Sequence, residues 1–497
     1  MGLDQESNKS EYKSIIKGTS LFGGVQIYNI LIGVIRAKIV AVLLGPIGVG
    51  IQGLFISGTQ LIRSLTSFGL VQSAVREVSS AYASNDQQRV SRTTAVLRRL
   101  VVLTGLLGLI VVVLFSPILS RTSFGHTGFT LSFALLSVTL LFDQLANGQS
   151  VILQGTRKLR YLARSSVLGS TIALIVAIPL FYFFGEKGIV PALIINSVTV
   201  FILARHFANK TPILPIKLTT KEVFGEGRQM LVMGVAMSLT SILSTASAYI
   251  LRGFISNRGG EVEIGLFQAG FAIINTYVGM VFTAMSTDYY PRLAGVNNNN
   301  EMCRQLINQQ GEVGALLLTP LLVVCIVFMP IVIRILYTKE FLGANNYILW
   351  AVPGMMFKLS SWVISFQFVA KGESKLFAIN EFTVSIYGLV LNLLGYYFFG
   401  LPGLGATFSL IYLIYFIQVF IIARNRYGFF FSKNFNRTFW PQLIIVVLCF
   451  LIAAFCSATL KYVLCTPIII LSTIFSIKGL DSRIGLKELV KQKVKHE

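Results

Sequence analysis

The chain contains a long-range internal repeat whose units lie beside runs of apolar residues. Gly155-Thr156-Arg157-Lys158-Leu159 follows one apolar run, and Gly372-Glu373-Ser374-Lys375-Leu376 follows another run in the second half of the chain. Tyr182-Phe183-Phe184-Gly185 recurs at nearly the same interval as Tyr397-Phe398-Phe399-Gly400. A duplicated set of membrane helices predicts two halves that rock about a central binding site.

Composition places these apolar runs in a lipid bilayer. Hydrophobic residues make up 54% of the chain and charged residues 12%, and the mean hydropathy is +0.73. The runs approach the ~20 residues that a spanning helix needs and exceed the ~10 alternating residues of a barrel strand. We therefore predict an all-α polytopic membrane protein with about 14 transmembrane helices, at residues 21–44, 48–70, 100–119, 128–153, 165–184, 188–203, 230–251, 264–285, 313–335, 347–370, 376–399, 404–422, 440–458 and 462–477.

The repeat divides these helices into two pseudo-symmetric six-helix lobes plus two C-terminal helices. The predicted segments are an N-terminal lobe, a cytoplasmic linker, a C-terminal lobe, two extra helices and a basic cytoplasmic tail, at residues 1–206, 207–229, 230–426, 427–478 and 479–497. In the tail, Leu486, Leu489, Val490 and Val494 have helical spacing. That spacing favours an amphipathic helix on an anionic leaflet, and a frayed basic tail is the alternative.

Basic residues predict the orientation of the spans. With the amino terminus inside, the cytoplasmic segments hold 31 of the 42 lysines and arginines, so both termini are predicted to be cytoplasmic. This asymmetry accounts for the net charge of +22, and the scattering of the charges over short loops argues against a nucleic-acid partner. The first span follows polar residues without a cleavage site, so we expect it to be retained.

No catalytic or metal-binding pattern is present in the sequence. The three histidines, His126, His206 and His496, fall in separate loops or tails. The predicted outer loops are short, which disfavours a membrane glycan polymerase or ligase, because such an enzyme holds its acceptor in a large loop or soluble domain. We predict no catalytic residue, no metal and no cofactor.

Charged residues inside the predicted spans are the candidate binding residues. An ionised side chain at the centre of a bilayer costs ~2.5 to 3.5 kcal/mol, so it is expected to face a hydrated cavity or a partner. The candidate cations are Arg36, Arg63 and Lys358 within spans and Arg252 at the outer end of the seventh span. A cluster of buried cations predicts an anionic substrate, and arginine in particular donates paired hydrogen bonds to phosphate.

Each of these charges also has a structural explanation. Arg252 and Arg36 lie where a long side chain reaches the headgroups. Asp143, near the middle of the fourth span, is the repeat counterpart of Lys358 in the tenth, and Asn147 follows Asp143 on the same helix face. Asp143 and Asn147 are candidates for ion coupling or an ion pair, and the alternative for Asp143 is a structural partner of a base in its own half.

Several segments resemble a known family. The stretch RAKIVAVLLGPIGVG at residues 36–50 and Ser67-Phe68-Gly69-Leu70 resemble the opening of bacterial polysaccharide-transporter flippases of the multidrug/oligosaccharidyl-lipid/polysaccharide export superfamily. Asp288-Tyr289-Tyr290-Pro291-Arg292-Leu293 and the stretch from Lys358 to Lys371 are similar to the O-antigen and enterobacterial common antigen translocase branch. The resemblance extends from about Ser14 to Arg426.

The resemblance implies a function more specific than composition does. Members of this family move an undecaprenyl-pyrophosphate-linked oligosaccharide to the outer leaflet of the bacterial inner membrane, through a V-shaped cavity between two lobes. Related lipid II flippases carry cavity arginines that align with Arg36 and Arg63, which implies pyrophosphate binding there. The implied partners are the lipid-linked substrate, membrane lipids, a glycan polymerase and other assembly proteins. The movement is driven either by a proton or sodium gradient or by removal of the product on the far side.

Two alternatives remain at this stage. A drug or small-cation exporter of the same superfamily would require buried carboxylates to match a positive cargo, whereas the charges identified here are mainly basic. A membrane glycan polymerase or ligase is the alternative from a different class.

Overall fold

The protein, described here from a computed structural model, consists of helices and short connections over residues 2–84, 86–216 and 218–484, the part of the chain that the structure describes. No β-strand occurs in those residues, which confirms the predicted all-α class. Two short 3₁₀ helices, Gly185–Gly188 and Lys339–Ala344, and a π-helical segment, Ile273–Val278, separate some of the α-helices. The α-helices are α1 (Gly2–Thr66), α2 (Leu70–Ala83), α3 (Gln87–Phe124), α4 (Thr130–Gly155), α5 (Leu159–Phe184), α6 (Ile189–Ala208), α7 (Thr220–Ala272), α8 (Met280–Gly295), α9 (Asn300–Leu336), α10 (Asn345–Ala370), α11 (Ser374–Tyr427), α12 (Lys433–Phe455) and α13 (Ala458–Ile484).

Three of the longest helices are interrupted by a glycine with a positive φ. The interruptions lie at Gly45 in α1, Gly260 in α7 and Gly400 in α11. Glycine adopts a positive φ without the steric penalty of a β-carbon, so the chain turns there without an intervening loop. These breaks fall between the predicted spans that end and begin on either side of them.

The backbone repeats at one constant interval. Gly45 (φ 63°, ψ −167°) corresponds to Gly260 (φ 77°, ψ −179°) in the second half of the chain. Gly185 (φ 54°, ψ −133°) corresponds to Gly400 (φ 60°, ψ −142°), and the separation in sequence is the same for both pairs. The duplication seen in the sequence is therefore also a duplication of backbone conformation.

A third pair of left-handed residues refines the alignment of the repeat. Arg157 has a φ of 56° and Gly372, which follows it at the same interval, has a φ of 74°. The sequence match had placed Gly155 opposite Gly372. The structure shows that Arg157 is the equivalent residue, because the match of glycine with glycine misaligned the turn by two residues.

We call the helix interruptions at Gly45 and Gly260 elbows. The two elbows pack against each other through small residues. A β-carbon added at Gly50 would lie 2.2 Å from the carbonyl oxygen of Glu261, and one added at Gly265 would lie 2.0 Å from that of Pro46. Gly50 and Gly265 are themselves separated by the repeat interval, so the contact is reciprocal. Only glycine permits this approach of the two backbones.

Ten helices within the described residues are long and apolar enough to cross a bilayer. The predicted number of 14 transmembrane helices stays a prediction. It counts each of four interrupted helical stretches as two spans. Those stretches are Gly24–Thr66, Leu159–Ala208, Ser238–Gly295 and Ser374–Tyr427.

The polar connection predicted over residues 71–99 is largely helical. It forms α2 and the start of α3, because apolar residues recur on one face of α2 and are buried there. Leu70, Ala74 and Val78 of that face belong to a core cluster with Leu97 and Met230. A short amphipathic helix of this kind carries too few apolar residues to register as a span.

The chain divides into two compact units, of which the first ends at Gly265 and the second begins at Leu266. This boundary lies later than the predicted start of the second lobe at residue 230. The reason is that the first part of α7 packs on the first unit, where Met230 joins its core and Asn257 donates to the carbonyl of Thr122 over 2.7 Å. The predicted five-segment division follows the repeat and stays a prediction.

The predicted amphipathic tail helix, with Leu486, Leu489, Val490 and Val494, lies outside the described residues, which end at Ile484.

Candidate functional site

Arg63 and Asp143 form an ion pair inside the first unit. Arg63 lies on the second part of α1 and Asp143 lies midway along α4, and their Nη1 and Oδ2 atoms are 3.1 Å apart. The side chains are only 28% and 20% exposed. Asp143 is thus the partner of a base in its own half, which is the structural alternative that the sequence left open.

The ion pair leaves Arg63 with donors to spare. An arginine carries five N–H groups in a planar fork. Its Nη1 lies 3.1 Å from Asp143 Oδ2 in the ion pair, and the Nε of Arg63 is buried without a hydrogen-bond partner among the described residues. A buried donor left unpaired costs about 1 to 3 kcal/mol, so an incoming oxygen acceptor would recover that free energy. Phosphate oxygens suit this fork.

Asn147 does not take part in the ion pair. It lies one turn after Asp143 on α4, is partly exposed, and its amide makes no hydrogen bond within the described residues. The neighbouring amides differ, because Gln144 is buried and donates to Thr104 Oγ1 over 3.0 Å. Asn147 therefore offers a free amide beside the pair.

Arg36 and Arg252, the other two cations of the first unit, are not joined to the Arg63–Asp143 pair. Arg36 on α1 is partly buried, and its guanidinium has no hydrogen bond or ion pair among the described residues. Arg252 Nη1 donates to the carbonyl of Ala248 on its own helix over 3.3 Å and makes further interactions. The structure brings together only one of the predicted cations with the predicted anion.

Lys358, the cation of the second unit, lies in a cage of aromatic rings. Its Nζ donates to Asn275 Oδ1 over 2.9 Å. The same atom is 5.8 Å from the ring centroid of Phe282, 5.7 Å from that of Phe408 and 5.1 Å from that of Tyr412. Cation–π attraction of about 0.5 to 2 kcal/mol per ring holds this ammonium group, which has no carboxylate partner among the residues that the structure describes. We refer to these four partners as the lysine cage.

The partner Asn275 lies in the π-helical segment Ile273–Val278. A π-helical turn contains one extra residue and often marks a functional position. Asn275 also interacts with the fully buried Tyr347 of α10. Lys358 was predicted from its position within a span, whereas its cage was not. The cage residues come from α8, α11 and the π-helical segment and share no local sequence pattern.

A membrane carboxylate was also missed. Glu381 lies in the second turn of α11, inside the predicted span 376–399, and accepts a hydrogen bond from Tyr415 over 3.0 Å. Beside it, the buried Asn380 accepts from Gln418 over 2.7 Å, while Asn380 Nδ2 and the hydroxyl of Tyr387 are buried without partners. A complete survey of charges within the spans would have found Glu381.

The described residues contain no group of three histidine, cysteine, aspartate or glutamate side chains that could hold a metal ion. The chemistry that the arrangement offers is the binding of an anion by guanidinium and ammonium groups, together with a protonatable carboxylate.

Comparison with known proteins places this architecture in a family. A family described as "Polysaccharide biosynthesis protein" matches residues 39–346, more than half of the chain. The chain belongs to this family. Among curated proteins, the Lipid III flippase of Escherichia coli (strain K12) is 21% identical over 402 residues, which span 79% of this chain and 95% of the relative. The Lipid III flippase of Shigella flexneri matches over the same extent.

Solved structures show the same fold. The lipid II flippase MurJ in an inward closed conformation has a TM-score of 0.68 and 16% identity, over 95% of this chain and 99% of that one. An inward-facing multidrug resistance MATE transporter of the MOP superfamily has a TM-score of 0.66 and 16% identity, over 80% of this chain and 94% of that one. At this level of identity the likeness establishes the fold alone.

The polysaccharide biosynthesis family match contains some of the candidate residues and not others. Arg63, Asp143 and Asn275 lie within residues 39–346, whereas Arg36 and Lys358 lie outside. The ion pair is therefore part of the segment shared with the family, and the lysine cage is completed by helices beyond it.

Proposed function

We propose that this protein is a flippase that moves an undecaprenyl-pyrophosphate-linked oligosaccharide repeat unit across the bacterial inner membrane by alternating access. The general function, flipping of a lipid-linked glycan, is supported by the family match, by the Lipid III flippase relatives and by the MurJ-like fold. The oligosaccharide repeat unit as cargo and pyrophosphate as the bound group rest on the charges inside the spans.

The observation that carries the proposal is the state of Arg63. Its guanidinium lies within a span, is only 28% exposed, and retains a buried N–H without a partner. Asp143 neutralises part of the charge, which lowers the cost of burying it, but does not use the whole fork. A pyrophosphate that enters would complete the hydrogen bonding of a site that is already charged and oriented.

The physical task explains this design. A pyrophosphate with several sugars does not cross ~30 Å of hydrocarbon unaided, whereas its polyprenyl tail is stable there. The protein has to shelter the polar head alone, with Arg36, Arg63, Arg252 and Lys358 as the proposed contacts. No covalent bond is made or broken, so we propose a transporter and not an enzyme.

Reconstitution tests this proposal. The purified protein is placed in liposomes that carry an undecaprenyl-pyrophosphate-linked oligosaccharide, and an impermeant glycosidase is added outside. Transport is expected to expose nearly all of the oligosaccharide to the enzyme, whereas liposomes without protein expose the outer half only. Equal exposure in both preparations would show that the protein does not move this lipid.

A drug or small-cation exporter is the second candidate. The carboxylates Asp143 and Glu381 inside the spans and the likeness to a MATE transporter favour it. The two functions separate in one assay, because an exporter lowers the accumulation of a cationic dye in cells and a glycan flippase leaves it unchanged. The membrane glycan polymerase or ligase has no observation in its favour.

The orientation, the partners and the driving force are also proposed here. We propose that both termini face the cytoplasm, on the basis of the basic residues, and that a glycan polymerase and other assembly proteins receive the product. We also propose that an ion gradient drives the cycle. We propose Glu381 as the proton-binding group, because its carboxylate accepts a hydrogen bond from the phenol of Tyr415, whereas Asp143 is paired with Arg63.

A further inference from the structure

The second unit contains a polar cavity of about 670 Å³ at one end of α8, α9, α12 and α13. The polar residues that line it include Arg292, Gln309, Gln310, Asn434, Ser482 and Arg483. Arg292 is in the last turn of α8 and Asn434 is the second residue of α12, while Gln309 and Gln310 lie in the polar first part of α9, before the predicted span 313–335. The cavity therefore lies level with the ends of the apolar runs and not at their middle.

Arg483 is fixed in the wall of this cavity and keeps unused donors. Its Nε donates to Glu312 over 2.8 Å, its Nη2 to Thr438 Oγ1 over 2.9 Å, and its Nη1 to the carbonyl of Gly479 over 2.9 Å. Three of its five N–H groups are thus occupied and two remain. The position of the guanidinium is set by the protein before any ligand arrives.

Other lining groups also have free hydrogen-bonding capacity. Arg292 pairs only with Asp288, at 3.1 Å, and both side chains are more than half exposed, so this pair holds the guanidinium weakly. The amides of Gln309, Gln310 and Asn434 make no side-chain hydrogen bonds within the described residues. The cavity thus presents two guanidinium groups and three amides to whatever enters it.

The charge of the lining favours an anion. The lining holds Arg292, Arg483 and one carboxylate, Glu312, which is 9% exposed and already bonded to Arg483. The carboxylate of Asp288, which pairs with Arg292, is 74% exposed and lies outside the lining. Lys433 and Arg437 are exposed on the first turns of α12, outside the lining. Basic pockets between membrane helices at the level of the headgroups bind anionic lipid headgroups.

We propose that this cavity binds the headgroup of an anionic phospholipid, such as phosphatidylglycerol, which is a bound lipid and not the transported cargo. The phosphodiester contacts Arg292 and the free N–H groups of Arg483, and the glycerol hydroxyls contact the amides of Gln309, Gln310 and Asn434. The acyl chains remain in the bilayer, because the cavity lies level with the ends of the apolar runs. This assignment does not rest on the proposed function.

The lipid would also add a polar contact between helices that line the cavity. Glu312 and Arg483 already link α9 to α13, and Thr438 links both to α12. A phosphodiester shared between Arg292 and Arg483 adds α8 to this set. We therefore expect the bound lipid to raise the thermal stability of the protein.

Native mass spectrometry of the full chain tests the assignment. The protein is titrated with phosphatidylglycerol and with phosphatidylcholine of identical acyl chains. The wild type is expected to retain phosphatidylglycerol about tenfold better, and Arg292→Gln to lose most of this preference, since one charge-assisted contact accounts for about a factor of ten. Arg437→Gln, an exposed arginine of α12 outside the lining, is the matched control and is expected to keep it.

Three results would overturn the proposal. One is the absence of a preference for phosphatidylglycerol in the wild type, and another is an equal loss in Arg292→Gln and Arg437→Gln. The third concerns the tail variant in which glutamine replaces Lys487, Lys491, Lys493 and Lys495. If this variant loses the preference for phosphatidylglycerol and Arg292→Gln keeps the preference, the lipid binds to the tail. Binding of soluble glycerol phosphate is measured as well. If it binds as tightly as phosphatidylglycerol, the ligand of the cavity is not specifically a membrane lipid. If Arg292→Gln fails to fold, Gln310→Glu places a negative charge in the same cavity and is expected to abolish the preference.

Discussion

Gly50 and Gly265 occupy equivalent positions in the two repeats, and each packs against the backbone of the other repeat's elbow. The carbonyl oxygen of Glu261 lies 2.2 Å from the position that a β-carbon of Gly50 would take, and the carbonyl oxygen of Pro46 lies 2.0 Å from that of Gly265. The two contacts are related by the repeat interval, because Gly50 corresponds to Gly265 and Pro46 corresponds to Glu261. The duplicated segments therefore form a reciprocal contact of the kind that a two-fold axis generates.

This contact predicts that alanine is poorly tolerated at either glycine. A β-carbon at Gly50 or Gly265 would approach a carbonyl oxygen to 2.2 or 2.0 Å, so the helices have to separate. We expect Gly50→Ala and Gly265→Ala each to lower the free energy of unfolding by ~1 to 3 kcal/mol, observed as a lower unfolding temperature. Gly33→Ala in α1, which meets no atom within 4 Å, is the control and should not destabilise the protein.

The Arg63–Asp143 pair predicts that loss of Arg63 impairs flipping and that removing Asp143 as well does not restore it. Arg63→Ala is expected to reduce flipping in liposomes at least about tenfold, because the pyrophosphate loses charge-assisted donors. Arg63→Ala also leaves Asp143 half-buried without its partner and so destabilises the protein. The double variant Arg63→Ala/Asp143→Ala removes that instability and should remain inactive. Activity restored in the double variant would assign Arg63 a structural role.

Arg63→Lys separates charge from geometry at the same position. Lysine keeps the charge and the ion pair with Asp143 but lacks the planar fork. We expect the protein to fold with wild-type stability and to transport at an intermediate rate. A wild-type rate would show that a point charge suffices there.

The lysine cage predicts that Lys358 depends on Asn275. Lys358→Met keeps the aromatic packing and removes the charge, and we expect it to lower the rate of flipping while the unfolding temperature stays near that of the wild type. Asn275→Ala is expected to give a smaller defect, since three rings still hold the ammonium group. The liposome assay with each variant measures this order, and the reverse order would contradict a substrate contact at Lys358.

Glu381 predicts a dependence of transport on the proton gradient. Tyr415 and Tyr387 are the titratable groups that adjoin its carboxylate. If this carboxylate carries the proton, Glu381→Gln should still bind substrate but lose any acceleration by an imposed pH gradient. Glu186→Gln, at an exposed glutamate of the 3₁₀ helix after α5, should respond as the wild type does. A gradient response that persists in Glu381→Gln would exclude Glu381 as the coupling group.

The predicted orientation is tested with single cysteines introduced after the five native cysteines are removed. Tyr82→Cys in α2 and Arg160→Cys at the start of α5 replace exposed residues of predicted cytoplasmic segments. Neither should react with a membrane-impermeant thiol reagent added outside intact cells, whereas Lys187→Cys, in a predicted outer segment, should react. Labelling of the first two from outside would reverse the topology.

The sequence predicted those features that depend on local composition. The spans on either side of Gly45 and Gly260 were found because apolar runs and their boundaries are properties of neighbouring residues. Arg63, Asp143 and Lys358 were found because a charge within such a run is conspicuous. Their roles needed tertiary contacts, since Asp143 on α4 proved to pair with Arg63, which lies on α1 and is distant from it in the sequence.

Features that depend on distant residues were not predictable in this way. The lysine cage combines residues from three helical segments, and no periodicity indicates which rings approach Lys358. The π-helical segment at Ile273–Val278 has no sequence rule of the kind that caps provide. Helix α2 was assigned to a polar connection because its buried face is recognisable only when the helices that cover it are known.

The left-handed turn at Arg157 shows that membrane insertion and backbone conformation can make opposite demands on one residue. Its equivalent, Gly372, meets this conformation with a residue suited to it, and the second copy places its positive charges on the nearby Lys371 and Lys375. Arg157 instead combines the turn with a positive charge that the predicted cytoplasmic location of this segment favours, at a conformational cost of roughly 1 to 2 kcal/mol. Replacing Arg157 with glycine would therefore give a more stable turn in a chain with a weaker signal for its own orientation during synthesis.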